Sequence, residues 1–255
     1  MITSLSNAKI KHARAILQQH KARARHQQFL IEGARLMQEA ERAGMQPALL
    51  FCVPAFLQSE LGQRLAARWA SLIETVSAPV LASISDTVTP QGVVAVMPYP
   101  TLRATAPQLV LIADTLRDPG NVGALLRSAL AARVDEALVS VGSADVYSPK
   151  AVRAAMGAHF HLPIRSDLDW RTISARVSGL IVLLADAEGE LDYDQWDWRQ
   201  PSALIIGGEA EGASAEARAL ATQRVRIPMR GESESLNAAI AGSVILFEAA
   251  RQRRK

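Results

Sequence analysis

The chain has a single cysteine, few aromatic residues, no long apolar run and no acidic side chain before Glu32, and each absence excludes something. Cys52 can form no internal disulfide and has no cysteine partner with which to build a zinc site, so it reads as a small core residue. His159 and His161 alternate on an expected strand and point the same way, but with no carboxylate nearby they pack or face solvent, and no metal is expected. No run of eighteen apolar residues is present, and the first thirty residues lack the apolar centre and small-residue cleavage site of a secretory signal. The expectation is a soluble, cytoplasmic protein with no membrane partner. Aromatic residues make up 5% of the chain, too few for stacking to dominate contact with a nucleic acid, which would run through phosphates and shape instead. Internal repeats and low-complexity tracts are also missing, which removes solenoid architectures.

What is present is 255 residues, 49% of them hydrophobic, enough for one large core or two modest ones. Net charge is only +3, but its distribution is uneven. Lys9, Lys11, Arg14, Lys21, Arg23 and Arg25, with His12, His20 and His26, form a basic N-terminal stretch that would attract phosphates or serve as a solvated helix face. Arg251, Arg253, Arg254 and Lys255 suit the dipole of a C-terminal helix. Three prolines between Pro98 and Pro107 interrupt every periodic pattern, so residues 99–107 read as a linker between a small α/β domain, 1–98, and a larger one, 108–255. In the first, a basic helix precedes a strand Phe29–Ile31, a helix Ala34–Ala43 and strands at Leu49–Val53 and Gly92–Met97. In the second, apolar strands at Leu109–Ala113, Ala137–Val141, Leu180–Ala185, Ala203–Ile206 and Val225–Pro228 alternate with helical patterns, which predicts a parallel sheet covered on both faces. Ligands of such sheets sit beyond the carboxyl ends of the strands.

Three loops in that position carry chemistry. The first runs from Asp114 to Gly123 and leads into a helix whose buried stripe is Val122, Leu125, Leu126, Ala129 and Leu130. At about 100° per residue, Arg127 points well away from that stripe, either as an ordinary exposed arginine or toward a substrate or partner chain. The second is Gly207-Gly-Glu-Ala-Glu-Gly-Ala-Ser214, whose glycines let backbone approach a ligand while Glu209 offers a carboxylate. The third, Met229 to Asn237, leads into a helix expected to turn Leu236, Ile240, Val244 and Phe247 inward. Ser235 suits its N-cap, and the Asn237 amide could contact a ligand or hold a neighbouring loop.

Taken in order, Asp118-Pro-Gly-Asn-Val-Gly-Ala-Leu-Leu-Arg127, Ile206-Gly-Gly-Glu-Ala-Glu-Gly212 and Ile227-Pro-Met-Arg-Gly-Glu-Ser-Glu-Ser-Leu-Asn237 resemble the three motifs of the SpoU family of RNA ribose methyltransferases, within the SPOUT superfamily. Ser148 to Gly157 is similar to the helix that family places between the first two motifs, and the N-terminal module resembles its ribosomal-protein-type RNA-binding domain. Two positions depart from the pattern: Gly208 stands where asparagine or serine is frequent, and Ala238 where valine is. The resemblance implies an α/β domain with a trefoil knot, although generic chain-path rules argue against knots. It implies S-adenosylmethionine as cofactor, held by Ile206, Gly207, Gly208, Glu209, Gly212, Ile227, Met229, Ser235 and Leu236. It also implies catalysis by Arg127, Asn121, Glu209, Ser235 and Asn237, a homodimer through the C-terminal domain, and RNA as substrate, with ribosomal favoured over transfer RNA. A guanidinium is a poor general base, so Arg127 reads as a clamp on the target phosphate and hydroxyl, with the proton acceptor left open. Two other readings remain at this point. A Rossmann-type dinucleotide oxidoreductase would use the Gly120/Gly123 turn but needs an acidic residue about twenty positions on, where only Gly142 and Asp145 are found. A non-catalytic RNA-binding protein would have broken motifs.

Overall fold

Strands form in this chain where short β-branched and leucine-rich runs are bounded by turn residues, and the strands divide between two units. The computed structural model describes residues 1–209, 212–229, 231 and 236–254. One unit comprises Met1–Pro100 with Tyr147–Arg153; the other comprises Thr101–Val146 with Ala154–Lys255.

In the first unit, β1 (Gln28–Glu32), β2 (Leu49–Cys52), β3 (Ile73–Thr75) and β4 (Val93–Pro98) form a sheet of order β1-β4-β2-β3. β4 runs antiparallel to both of its neighbours, and β2 pairs with β3 in parallel. Ile10, Ile16, Leu30, Phe51, Val94 and Val96 meet in one buried cluster. The basic N-terminus makes two helices rather than one, Ala8–Gln18 and His20–His26, because Gln19 adopts an extended conformation between them. Arg23 turns inward and donates to the carbonyls of Ile16 and Leu17 at 2.8 and 3.0 Å, closing the free end of the first helix. Lys9 is paired with Glu74, so Lys11, Lys21 and Arg25 remain as exposed cations of that stretch. Tyr147 stacks on Tyr99 at 3.7 Å and meets the Phe29 ring at 5.1 Å. Cys52 is buried as expected, and burial pushes its thiol up to about 12.

The second unit is a seven-stranded, all-parallel sheet: β5 (Leu109–Ala113), β6 (Glu136–Ser140), β7 (Ile164–Leu168), β8 (Ile181–Ala185), β9 (Leu191–Asp192), β10 (Ser202–Ile206) and β11 (Gln223–Arg226), in the order β7-β6-β5-β10-β8-β11-β9. β5 and β10 are distant in sequence yet adjacent in the sheet. Their carboxyl ends open side by side, the place where such sheets bind ligands. The first long helix is Pro119–Ala131, with Asp118 as N-cap accepting from the Asn121 amide at 2.9 Å. Gly120 and Gly123 therefore lie inside a helix and form no phosphate-binding turn, which removes the basis of the dinucleotide reading.

Two expectations are corrected. His159 and His161 are not on a strand: Ala158–Phe160 is a 3-10 turn, with His159 buried against the Val146 carbonyl at 2.7 Å and His161 exposed. The last helix, Ala238–Arg253, buries Ala239, Gly242, Ile245, Leu246 and Ala249, not the expected stripe; Leu236 precedes it exposed, Ile240 and Phe247 are exposed, and Val244 is half-buried. The cause is close approach. A Cβ on Gly242 would lie 2.6 Å from Leu125 Cδ1 and 3.1 Å from Ile206 Cγ1, so the face that carries this glycine is the one that packs. At the far end of this helix Arg253 donates to the carbonyls of Trp198, Gln108 and Gln200 at 2.6, 2.8 and 2.9 Å. Among the described residues no helix is long and apolar enough to cross a membrane, and no group of His, Cys, Asp or Glu could hold a metal ion.

Candidate active site

The loop after β10 is shaped by glycines that nothing larger can replace. A Cβ on Gly207 would sit 2.6 Å from the Ala213 amide nitrogen, and one on Gly208 would sit 2.7 Å from the Thr115 carbonyl oxygen. The glycine at 208, a departure from the family pattern, is thus required by this chain's own packing. Gly212 takes a left-handed φ of +68° and exchanges two 3.1 Å backbone bonds with Gly208, closing the loop on itself. Asp114, fully buried at the end of β5, anchors the far side of the loop. Its carboxylate accepts from the Ser214 amide at 2.7 Å and from the Ser140 hydroxyl at 3.2 Å. Ser214 in turn caps the helix Ala215–Leu220.

Beside this loop lies a cavity of about 490 Å³, a size that suits a nucleoside-class ligand. Its apolar walls include Ile206, Val225, Ile227, Met229, Leu236 and Ile245, and Gly207, Gly208 and Gly212 present backbone to it. Of the nine residues expected to hold the cofactor, the eight that are described all line this one cavity: Ile206, Gly207, Gly208, Glu209, Gly212, Ile227, Met229 and Leu236. Ser235 lies outside the described residues. Apolar walls for a ring, exposed backbone for its polar edge and charged groups at the margins form a donor set that fits S-adenosylmethionine.

The expected catalytic residues are only partly assembled. Asn121 donates to Glu209 at 2.7 Å, and Asn237 donates to Asn121 at 3.1 Å, so the three motifs meet through one amide–amide–carboxylate chain. Asn237 also caps the last helix, accepting from Ala239 and Ile240 amides at 3.0 and 3.2 Å, the role expected of Ser235. Arg127 is not brought into the cavity wall: it is exposed and makes no ion pair or hydrogen bond among the described residues. Two charged residues that pattern reading passed over do line the cavity. Asp186, just past β8, accepts from Arg218 at 2.8 Å and from the Glu188 amide at 3.0 Å. Burial works to raise its pKa, but the Glu188 amide and Arg218 together hold it below the usual carboxylate range. No short motif marks these two residues; position at a parallel strand's carboxyl end was the one available signal for Asp186.

The sequence matches the profile of the SpoU rRNA Methylase family over residues 108–247 and that of the MRM3-like substrate binding domain over residues 7–95. It is 36% identical to the mitochondrial rRNA methyltransferase 3A of Danio rerio over 88% of this chain, and spans 63% of that protein's length. It is 34% identical to the 23S rRNA (uridine(2479)-2'-O)-methyltransferase of Streptomyces viridochromogenes, covering 97% of this chain and 91% of that one. The crystal structure of the SpoU methyltransferase AviRb from Streptomyces viridochromogenes, in complex with AdoMet, superimposes with a TM-score of 0.88 at 30% identity, covering 97% of this chain and 98% of that one.

Proposed function

The chain belongs to the SpoU rRNA methylase family, and from that premise we propose that it methylates a ribose of ribosomal RNA, working as a homodimer in which Arg127 of one subunit serves the cavity of the other. It is an S-adenosylmethionine-dependent RNA ribose 2′-O-methyltransferase. The observation that carries the site assignment is the convergence of eight motif residues on one cavity at the carboxyl ends of the central strands.

The bound cofactor supplies a methyl group on a sulfonium. Everything else falls to side chains and backbone. The glycine loop and the apolar wall hold the ligand and keep water from it. Transfer needs the ribose oxygen fixed in line with the methyl carbon, and the RNA must be gripped near its target for that. An unpaired exposed guanidinium can grip a phosphate through two parallel hydrogen bonds, which suits Arg127 to the task. It is exposed and does not line its own cavity, and on this reading the cavity it serves is that of a second copy. The exposed apolar residues Ile240 and Phe247 support this. They lie on the helix joined to that of Arg127 by the 2.7 Å contact between Ser243 and Ser128. Glu209, with one oxygen held by Asn121, offers the other to a guanidinium delivered across the interface.

The trefoil knot belongs to the same reading. The last strand, β11, lies between β8 and β9 instead of at an edge, which suits a threaded chain. Ribosomal RNA is favoured over transfer RNA because of the substrate-binding module at residues 7–95 and the named activities of the relatives. Competition between the two RNAs for labelled methyl, at matched concentration and salt, tests the preference. Transfer into ribosomal RNA should dominate, and preferential transfer into transfer RNA would overturn it.

A further inference from the structure

The cavity wall is acidic at two points and basic at one. Glu209 and Asp186 are its carboxylates, and among its described residues Arg218 is the one cation. S-adenosylmethionine carries two positive groups, the sulfonium and the ammonium, and a single negative one, the carboxylate of its amino-acid end. A carboxylate placed against Glu209 or Asp186 alone would be repelled, so among the described side chains of this wall Arg218 is the one electrostatically suitable partner for the cofactor's anion. We propose that Arg218 recognises the amino-acid carboxylate of S-adenosylmethionine and that Asp186 is the positioning residue that aims it.

The geometry suits that task. Nη1 of Arg218 is committed to Asp186 Oδ2 at 2.8 Å, while Nε and Nη2 have no hydrogen bond among the described residues and keep donors for a second carboxylate. A Cβ built on Gly212 would lie 3.4 Å from Nη2, so the guanidinium rests along the open backbone of the glycine loop. Asp186 is itself fixed by the Glu188 amide, and the helix bearing Arg218 begins at Ser214, whose amide is tied to buried Asp114. An arginine held at one edge loses less freedom on binding than a free one, and its planar fork matches a carboxylate at the other edge.

The inference rests on the cofactor assignment, and the test separates the two. Full-length protein is titrated calorimetrically with S-adenosylmethionine and with decarboxylated S-adenosylmethionine, which differs in the carboxylate alone. The unaltered protein should bind the first roughly tenfold more tightly, the scale of one charge-assisted hydrogen bond. Arg218→Gln should lower affinity for S-adenosylmethionine by about the same factor and leave the decarboxylated compound unchanged, which also shows that the cavity is intact. Asp186→Asn should lose part of the same discrimination. Equal weakening of both ligands in Arg218→Gln, or no weakening of either, would overturn the assignment while leaving the cofactor reading standing. Failure of the unaltered protein to bind either ligand would sink that reading and this inference with it.

Discussion

Arg127 is the residue whose removal should hurt most while disturbing the structure least. It is exposed and carries no partner among the described residues, so Arg127→Ala should change stability by no more than about 0.5 kcal/mol. If it clamps the RNA, both Arg127→Ala and Arg127→Lys should lose methyl transfer on the order of 100-fold with cofactor affinity nearly unchanged. Single-turnover transfer measured beside cofactor binding decides the matter, and near-normal transfer by the alanine variant removes the residue from the catalytic set. Gly207 should behave in the opposite way. Its added Cβ would meet the Ala213 nitrogen at 2.6 Å, so Gly207→Ala should cost about 1–3 kcal/mol and weaken cofactor binding before any RNA is present. Thermal melting with and without S-adenosylmethionine would show both effects. An unchanged melting point and an undiminished ligand shift would mean that the loop is not held as tightly as its contacts indicate.

At the scale of elements, the last helix separates what could be read from sequence from what could not. The run Ala238 to Phe247 marks its position, but not its buried face, because this helix is apolar nearly all round: Ile245 and Leu246 pack while Ile240 and Phe247 do not. Gly242 faces in because Leu125 and Ile206 leave room for nothing larger, and Ala239 is buried with it. The exposed Ile240 and Phe247 are then surplus to the fold and available to a second copy. Replacing both by aspartate should yield monomers by light scattering, abolish transfer and spare cofactor binding; a dimer that survives the change would refute the interface. The same contrast runs through the site. Glycine, asparagine and glutamate in the three loops were legible because their order forms a pattern. Asp186, Arg218 and Asp114 were not, since their partners lie on other elements and become neighbours only when β5, β10 and β8 align in the sheet. Strand β7 shows no apolar run in the sequence because its residues, Ile164-Arg-Ser-Asp-Leu168, sit at an edge of the sheet, half-buried or, at Asp167, exposed. The two basic helices read as one because a single extended residue, Gln19, separates them within a continuous helical pattern.

At the scale of the whole molecule, the buried His159 ties folding to pH. Burial lowers its pKa to about 4, against the raising effects of the Val146 carbonyl and Asp145, so the folded protein holds it neutral near pH 7. The unfolded imidazole titrates near 6.5. Between those values the unfolded chain binds the extra proton, so this contribution to stability is complete above about pH 6.5 and declines as pH falls toward 4. From pH 7 to pH 5 the loss should be about 2 kcal/mol. Urea midpoints for the unaltered protein and His159→Gln should show the slope flattened in the variant, and parallel slopes would place the pH sensitivity elsewhere.

The central claim, that this protein places a methyl group on a ribose oxygen, is tested most directly by where the label ends up. Ribosomal RNA lacking the modification is incubated with the full chain and methyl-labelled S-adenosylmethionine, then digested with alkali, which cleaves next to a free 2′-hydroxyl but not next to a methylated one. The label should appear in alkali-resistant dinucleotides. Label released as a mononucleotide, with the methyl on the base, would contradict the account.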